Sequence, residues 1–248
     1  MNAVWNRALA LSLLAASAVG GMSGAAWATP SPPTPIAIVN PSFEADTTPN
    51  GSSGTQSYWS SGSFTGWTFS GTYGGWFHPA SSAYPGGGNS NTPASGIPDG
   101  SQVAWLNNVG SLAQTLSTVL VSNATYALTV YVGHRADVAL PSSYSFELLA
   151  GNTVLGTVAD PGPPAAGTFT PYTLTYTTAF YDALAGQHLG ILLLAGGSAV
   201  GQVNYDNLSL TVVTDANVFV PEPGAFGVVL AGILALAFGR SLARVRRS

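Results

Sequence analysis

Trp59, Trp67, Tyr73, Trp76, Phe77 and Tyr84 are among the aromatic side chains of the Gly- and Ser-rich stretch 51–90. A segment poor in aliphatic partners cannot easily bury every ring, and exposed Trp and Tyr faces stack on ring-shaped ligands such as sugars. Trp59, Tyr73, Trp76 and Tyr84 are therefore the ring candidates for a ligand site, while Trp67 and Trp105 are expected to anchor a core. Arg135, within Gly133-His-Arg-Ala-Asp137, is the one cation between residues 29 and 220, where nine acids stand against it. It has two choices, an ion pair with Asp137 or another acid of the domain, or a polar group of a ligand, and it joins the ligand-site candidates. His78, His134 and His188 are scattered without metal-ligand spacing, which argues against zinc.

Several chemistries are excluded outright. The chain has no Cys and no Lys. Thiol catalysis, a disulfide framework, a Schiff base and a phosphate-loop lysine are all removed. No G-x-S-x-G elbow occurs. A glycosidase-type carboxylate pair stays open, because such pairs meet only in three dimensions. With charged residues at 6%, against about 25% in average domains, there is no basic patch for nucleic acid.

The elements that must carry these residues read as strands. Tyr126, Leu128, Val130 and Val132 share one face of a period-two segment, and Tyr144, Phe146 and Leu148 repeat the pattern. Gly151-Asn152 is a hairpin turn. Ile36–Val39, 102–106, 111–117, 153–158, 168–177, 186–194 and 202–213 complete the strands, with Asn107-Asn-Val-Gly110 as a turn and 45–66 and 79–101 as loops. No twelve-residue window of this region has an uninterrupted helical period. Nine to eleven short strands imply one all-β domain over 36–213, a β-sandwich of jelly-roll type.

The two ends differ from this body. Arg7, the apolar run 8–19 and Ala26-Trp27-Ala28 form a signal-peptide pattern over 1–28, followed by a Pro-rich spacer at 29–35. After a linker at 214–220 come Pro221-Glu222-Pro223, an uncharged stretch ending at Gly239, and Arg240, Arg244, Arg246 and Arg247. Residues 224–239 are expected to span a membrane with the Arg cluster on the cytoplasmic side. This tail, 221–248, resembles the PEP-CTERM sorting signal. The resemblance implies an exported envelope or extracellular bacterial protein. Its implied partners are the Sec machinery, signal peptidase and an exosortase-type membrane protease.

Val39-Asn40-Pro-Ser-Phe-Glu44 opens the body and Asn204-Tyr205-Asp206-Asn207-Leu208-Ser209-Leu210 closes it. This pair resembles the galactose-binding-like jelly rolls that include many carbohydrate-binding modules. The resemblance implies a structural Ca²⁺ held by Glu44 and Asp206. Asp206 also falls on the parity of Leu208 and Leu210, and a carboxylate in line with a core face needs a cation or backbone donors. A turn-capping Asp206 and a solvated Glu44 are the alternative. The function expected from these features is non-catalytic association with extracellular polysaccharide. A structural matrix component without a ligand site, and a secreted polysaccharide hydrolase, are the rivals.

Overall fold

Period-two burial builds the protein. In the computed structural model, which describes residues 31–52, 58–85, 96–197 and 201–214, Tyr126, Leu128, Val130 and Val132 all point inward and are essentially unexposed. So are Phe146 and Leu148 on the neighbouring layer. The described residues form eleven strands and no helix. They are β1 (Thr34–Ile36), β2 (Gly51–Ser52), β3 (Tyr58–Ser61), β4 (Thr68–His78), β5 (Val103–Val119), β6 (Ala124–His134), β7 (Ser143–Ala150), β8 (Thr153–Ala159), β9 (Thr168–Thr177), β10 (His188–Gly196) and β11 (Gln202–Thr214).

All pairings are antiparallel. One layer runs β2-β3-β4-β5-β10-β7-β8, and the other joins β1, β11, β6 and β9. Strand β5 belongs to both. Its first residues, Ala104–Asn107, pair with Tyr205–Gln202 of β11, while Gly110–Thr115 pair with Ala195–Gly190 of β10. Strands that change layers at a bend close the corner of a sandwich. Between the layers Leu106, Leu112 and Leu116 of β5 meet Ile191 and Leu193 of β10, Leu128 of β6 and Leu210 of β11. Tyr205 ties the layers with its hydroxyl, which lies 2.6 Å from the Leu194 carbonyl and 3.0 Å from the Ser145 carbonyl.

The all-β expectation holds, and its errors are local. Residues 107–110 do not end a strand. Asn108 takes the left-handed φ of 55° that the Asn-Asn-Val-Gly signal anticipates, but the chain continues as one strand of 17 residues with a bulge opposite Gly71–Tyr73. The expected loop 45–66 contains the short strands Gly51–Ser52 and Tyr58–Ser61, and Thr68–His78, which lies between the two expected loops, is a full strand. Its glycines permit close approach: a Cβ on Gly75 would lie 1.9 Å from the Ser60 carbonyl oxygen of β3. The signal peptide 1–28 and the tail 221–248, with its span 224–239, lie outside the described residues.

Replacing Gly75 by Ala is expected to force β3 off β4 and destabilise the fold by about 1–3 kcal/mol, as overpacking does. Thermal unfolding should show a Tm lower by several degrees, and an unchanged Tm would refute the close-approach role.

Candidate functional site

The strand alternation that fills the core also presents a second set of side chains on the outer face of the same strands. Register places Trp59 opposite Phe77, Tyr73 opposite Asn107, and Asn107 opposite Gln202. These residues, with Ser61, Trp105 and Arg135, line an open cleft of about 390 Å³ at the end of the sandwich where β6 finishes and β11 starts. The intervening positions point the other way. Trp76, one residue from Phe77, is 1% exposed and belongs to the core with Leu106.

Arg135 is the polar centre of the cleft. Its Nε and Nη2 both donate to Asp137 at 2.8 Å, a two-pronged pair that draws the Asp137 carboxyl below the usual aspartate range. Its Nη1 donates to Gln202 Oε1 at 3.0 Å, and its guanidinium carbon sits 4.9 Å from the centre of the Phe77 ring. Gln202 is held in turn. Its Nε2 faces Asn204 Oδ1, which also accepts the Tyr84 hydroxyl at 2.7 Å, while Asn204 Nδ2 donates to the Ala104 carbonyl. Trp105 Nε1 donates to the Trp76 carbonyl at 3.0 Å, which fixes the indole as a wall. Asn107 Oδ1 is enclosed and meets no hydrogen-bond donor among the described residues.

Of the ring candidates, Trp59 and Tyr73 line the cleft together with Arg135. Trp76 and Tyr84 do not: both are buried, and the Tyr84 hydroxyl is committed to Asn204, with burial pushing its pKa well up. Tyr73 and Trp76 differ in parity, and that signal was present in Tyr73-Gly-Gly-Trp-Phe77 once the segment is read as a strand. Ser61, Phe77, Trp105, Asn107 and Gln202 escape the sequence reading as site residues. Trp105 serves the core and the cleft at once.

A second cluster lies further along β11. Asp206 is fully buried, but it does not face the core. Asn207 takes φ 46° and a bulge between Asp206 and Ser209 reverses the alternation, so Val203 and Tyr205 point inward before it and Leu208 and Leu210 after it. Asp206 meets the loop before β5 instead, accepting from the Asp99 N–H at 3.0 Å and the Asn207 N–H at 2.7 Å. Glu44 grips the same loop, accepting from the N–H groups of Ser101 and Gln102 and the Ser101 hydroxyl. Gly100, at φ 63°, leaves it room, since a Cβ there would lie 2.4 Å from the Glu44 carboxyl carbon. Desolvation raises the Asp206 pKa to about 8; the two backbone donors oppose this, and the Asp99 and Glu44 charges add to it. Glu44 is thus half-buried and engaged by three donors. Among the described residues no three His, Cys, Asp or Glu side chains converge as a metal-binding group. Any cation would rest on Glu44 and Asp206 with other oxygens.

Comparison with known proteins supplies a family. Residues 34–211 match the model of the HpiC1-like family, described as HpiC1 cyclase. A solved Stig cyclase, Fisc from Fischerella sp. TAU in complex with (3Z)-3-(1-methyl-2-pyrrolidinylidene)-3H-indole, is 25% identical, with a TM-score of 0.59 over 73% of this chain and 98% of that one. A cyclase from Fischerella sp. TAU in complex with 4-(1H-indol-3-yl)butan-2-one is 27% identical, with a TM-score of 0.59 over 72% of this chain and 97% of that one. No curated protein matches the chain.

These findings correct the expected function. A cyclase family covers the body, so the expected non-catalytic polysaccharide-associated protein, its carbohydrate-binding-module identity and the absence of enzymatic activity are all withdrawn. The likeness to a galactotriose-bound carbohydrate-binding module, at 13% identity and a TM-score of 0.43, carries no ligand. Nor does any comparison support the PEP-CTERM identification, whose residues Pro221, Glu222, Pro223, Arg240, Arg244, Arg246 and Arg247 lie outside the described residues.

The pKa of Asp206 has a stability consequence. A carboxyl that titrates near 8 when folded and near 3.9 when unfolded keeps its proton longer in the native state, so folding binds protons between those values. In the presence of a chelator, Tm is expected to fall as pH rises from about 4 to about 8. Asp206→Asn should flatten that slope, and equal slopes in both proteins would contradict the assignment.

Proposed function

We infer that this chain, which belongs to the HpiC1-like family of cyclases, closes a ring on a small, mainly apolar substrate held in the cleft between Trp59 and Arg135. One observation carries the reading: Trp59, Tyr73, Phe77 and Trp105 surround a cleft whose lining, among the described residues, has no carboxylate, imidazole or thiol. Such a lining is unsuited to hydrolysis or to a covalent intermediate. It suits ring closure, in which a flexible unsaturated chain must be folded onto its acceptor carbon. Aromatic walls restrict the conformers, exclude water and present π faces to positive charge that develops as the new bond forms.

The polar groups orient the substrate. The Asn107 amide is the group on the lining that suits a heteroaromatic N–H, such as that of 4-(1H-indol-3-yl)butan-2-one, the ligand of one related cyclase. The Tyr73 and Ser61 hydroxyls are hydrogen-bonding groups on the lining. Arg135, its charge matched by Asp137 and its plane laid on Phe77, offers the N–H groups that Asp137 and Gln202 leave free.

Calcium belongs to the same proposal. Glu44 and Asp206 would hold the ion, and a hard divalent cation suits their carboxylate oxygens. Its contribution is structural: it would balance charges crowded around the loop at 98–102 and pin the opening of the domain to its last strand. The jelly-roll form of the sandwich and export directed by residues 1–28 complete the reading.

The deciding assay incubates the purified chain with indoles bearing an unsaturated side chain and seeks a product of unchanged mass and altered chromatographic retention. Trp59→Ala and Tyr73→Ala are each expected to weaken binding of 4-(1H-indol-3-yl)butan-2-one by about tenfold, the worth of one aromatic contact. Calorimetry reads that change, and wild-type affinity in both variants would remove the cleft from the reaction. Millimolar Ca²⁺ should raise the Tm of the wild-type chain but not that of Glu44→Gln. A rise of the same size in both would exclude Glu44 as a ligand.

A further inference from the structure

The end of the sandwich away from the cleft exposes an aromatic pair. Phe180 is 58% exposed and Tyr181 89%, and their rings meet edge to face at 4.7 Å. Val121, 40% exposed, lies on the adjoining loop. The pair stands on firm ground. Asn123 N–H donates to the Ala179 carbonyl, Thr178 N–H to the Ala124 carbonyl, and Asp182 N–H to Ser122 Oγ. The Asp182 carboxylate is turned onto the Leu184 N–H rather than outward past the rings.

Both connections to the rest of the chain are at this end. Thr214, the last residue of β11, pairs with Ala124, beside the loop that carries the rings, and Thr34 at the start of β1 pairs with Val212. Beyond Thr214 the sequence holds an uncharged apolar stretch, 225–239, followed by Arg240, Arg244, Arg246 and Arg247. Gln202 and Arg135 of the cleft are at the opposite ends of β11 and β6, about 33 Å away for strands of this length.

We propose that the Phe180–Tyr181 end of the sandwich rests on a lipid bilayer surface. The apolar stretch 225–239 enters the same bilayer, and the Trp59–Arg135 cleft is held on the far, aqueous side. A Tyr ring sits favourably at the level of lipid headgroups, its ring apolar and its hydroxyl wet, and a neighbouring Phe ring buries at the acyl boundary below. A chain that leaves the domain beside these rings and continues into an apolar stretch brings them to that surface without a long connection. The proposal is independent of the reaction assigned to the cleft.

The chain lacks cysteine, so single labels can be placed cleanly. Tyr181→Cys and Ser142→Cys, the latter on the exposed loop before β7 near the cleft end, are each labelled with bimane in the full-length chain and reconstituted into phosphatidylcholine vesicles carrying doxyl-labelled lipid. Quenching at 181 at least twofold greater than at 142 is expected. Equal quenching at both sites, or none at 181, would overturn the proposal. So would a blue shift at 181 without lipid quenching, because that result places the rings against protein, either the tail folded back or a second copy.

Discussion

The alternation of side chains along β4 and β5 is the constraint on which the rest of the molecule depends. One parity carries Trp76, Ala104 and Leu106 into the core, and the other carries Tyr73, Phe77, Trp105 and Asn107 to the cleft. A slip of one residue in either strand would exchange the two sets, burying Asn107 and exposing Leu106. Core and cleft therefore share one registration, and the bulge near Asn108 is where it is adjusted. Because β5 pairs with β11 on one side of that bulge and with β10 beyond it, the site lies where the two layers of the sandwich meet.

Charge is used sparingly, and the single cation of the folded body is the one group that the cleft organises. Arg135 is neutralised by Asp137, supported by Phe77 and steered by Gln202, which is itself set by Asn204 and Tyr84. A guanidinium so fully engaged acts as a fixed surface of N–H groups rather than a mobile charge. At the other cluster the opposite situation holds. Asp206 and Glu44 are met by backbone N–H groups and the Ser101 hydroxyl in place of a cationic side chain, and the raised pKa of Asp206 expresses its burial first and the neighbouring charges of Asp99 and Glu44 second.

How much of this was legible in the sequence follows from which residues bear side chains that can alternate. β6 and β7 announced themselves because every second position is apolar. β4 did not, since Gly71, Gly74 and Gly75 blank out the pattern and leave 67–78 without an assignment, and with the strand went the opposite orientations of Tyr73 and Trp76. The turn signal at Asn107–Gly110 was correct about local φ and wrong about chain direction, because pairing with β4 carries the strand through it. Asp206 was rightly seen as buried, but its parity was misread because a bulge at Asn207 leaves no mark in hydropathy. Gln202 and Asn107 are ordinary polar residues whose importance exists only through neighbours distant in sequence. The opening and closing motifs pointed to an all-β body, which the chain has, and misdirected the function, because a fold does not fix the chemistry of the site placed on it.

Strand β3 is joined to the sandwich through β4 alone on its inner side, with the short β2 beyond it. It nevertheless supplies Trp59 and Ser61, one whole wall of the cleft. Trp59 packs against Phe77, Val103 and Trp105, so the ribbon is fastened to the body by one indole and by the close approach of Ser60 to Gly75. Exchanging the remaining positions of that ribbon for those of a relative would reshape one wall of the cleft while leaving the register of the strands behind it in place.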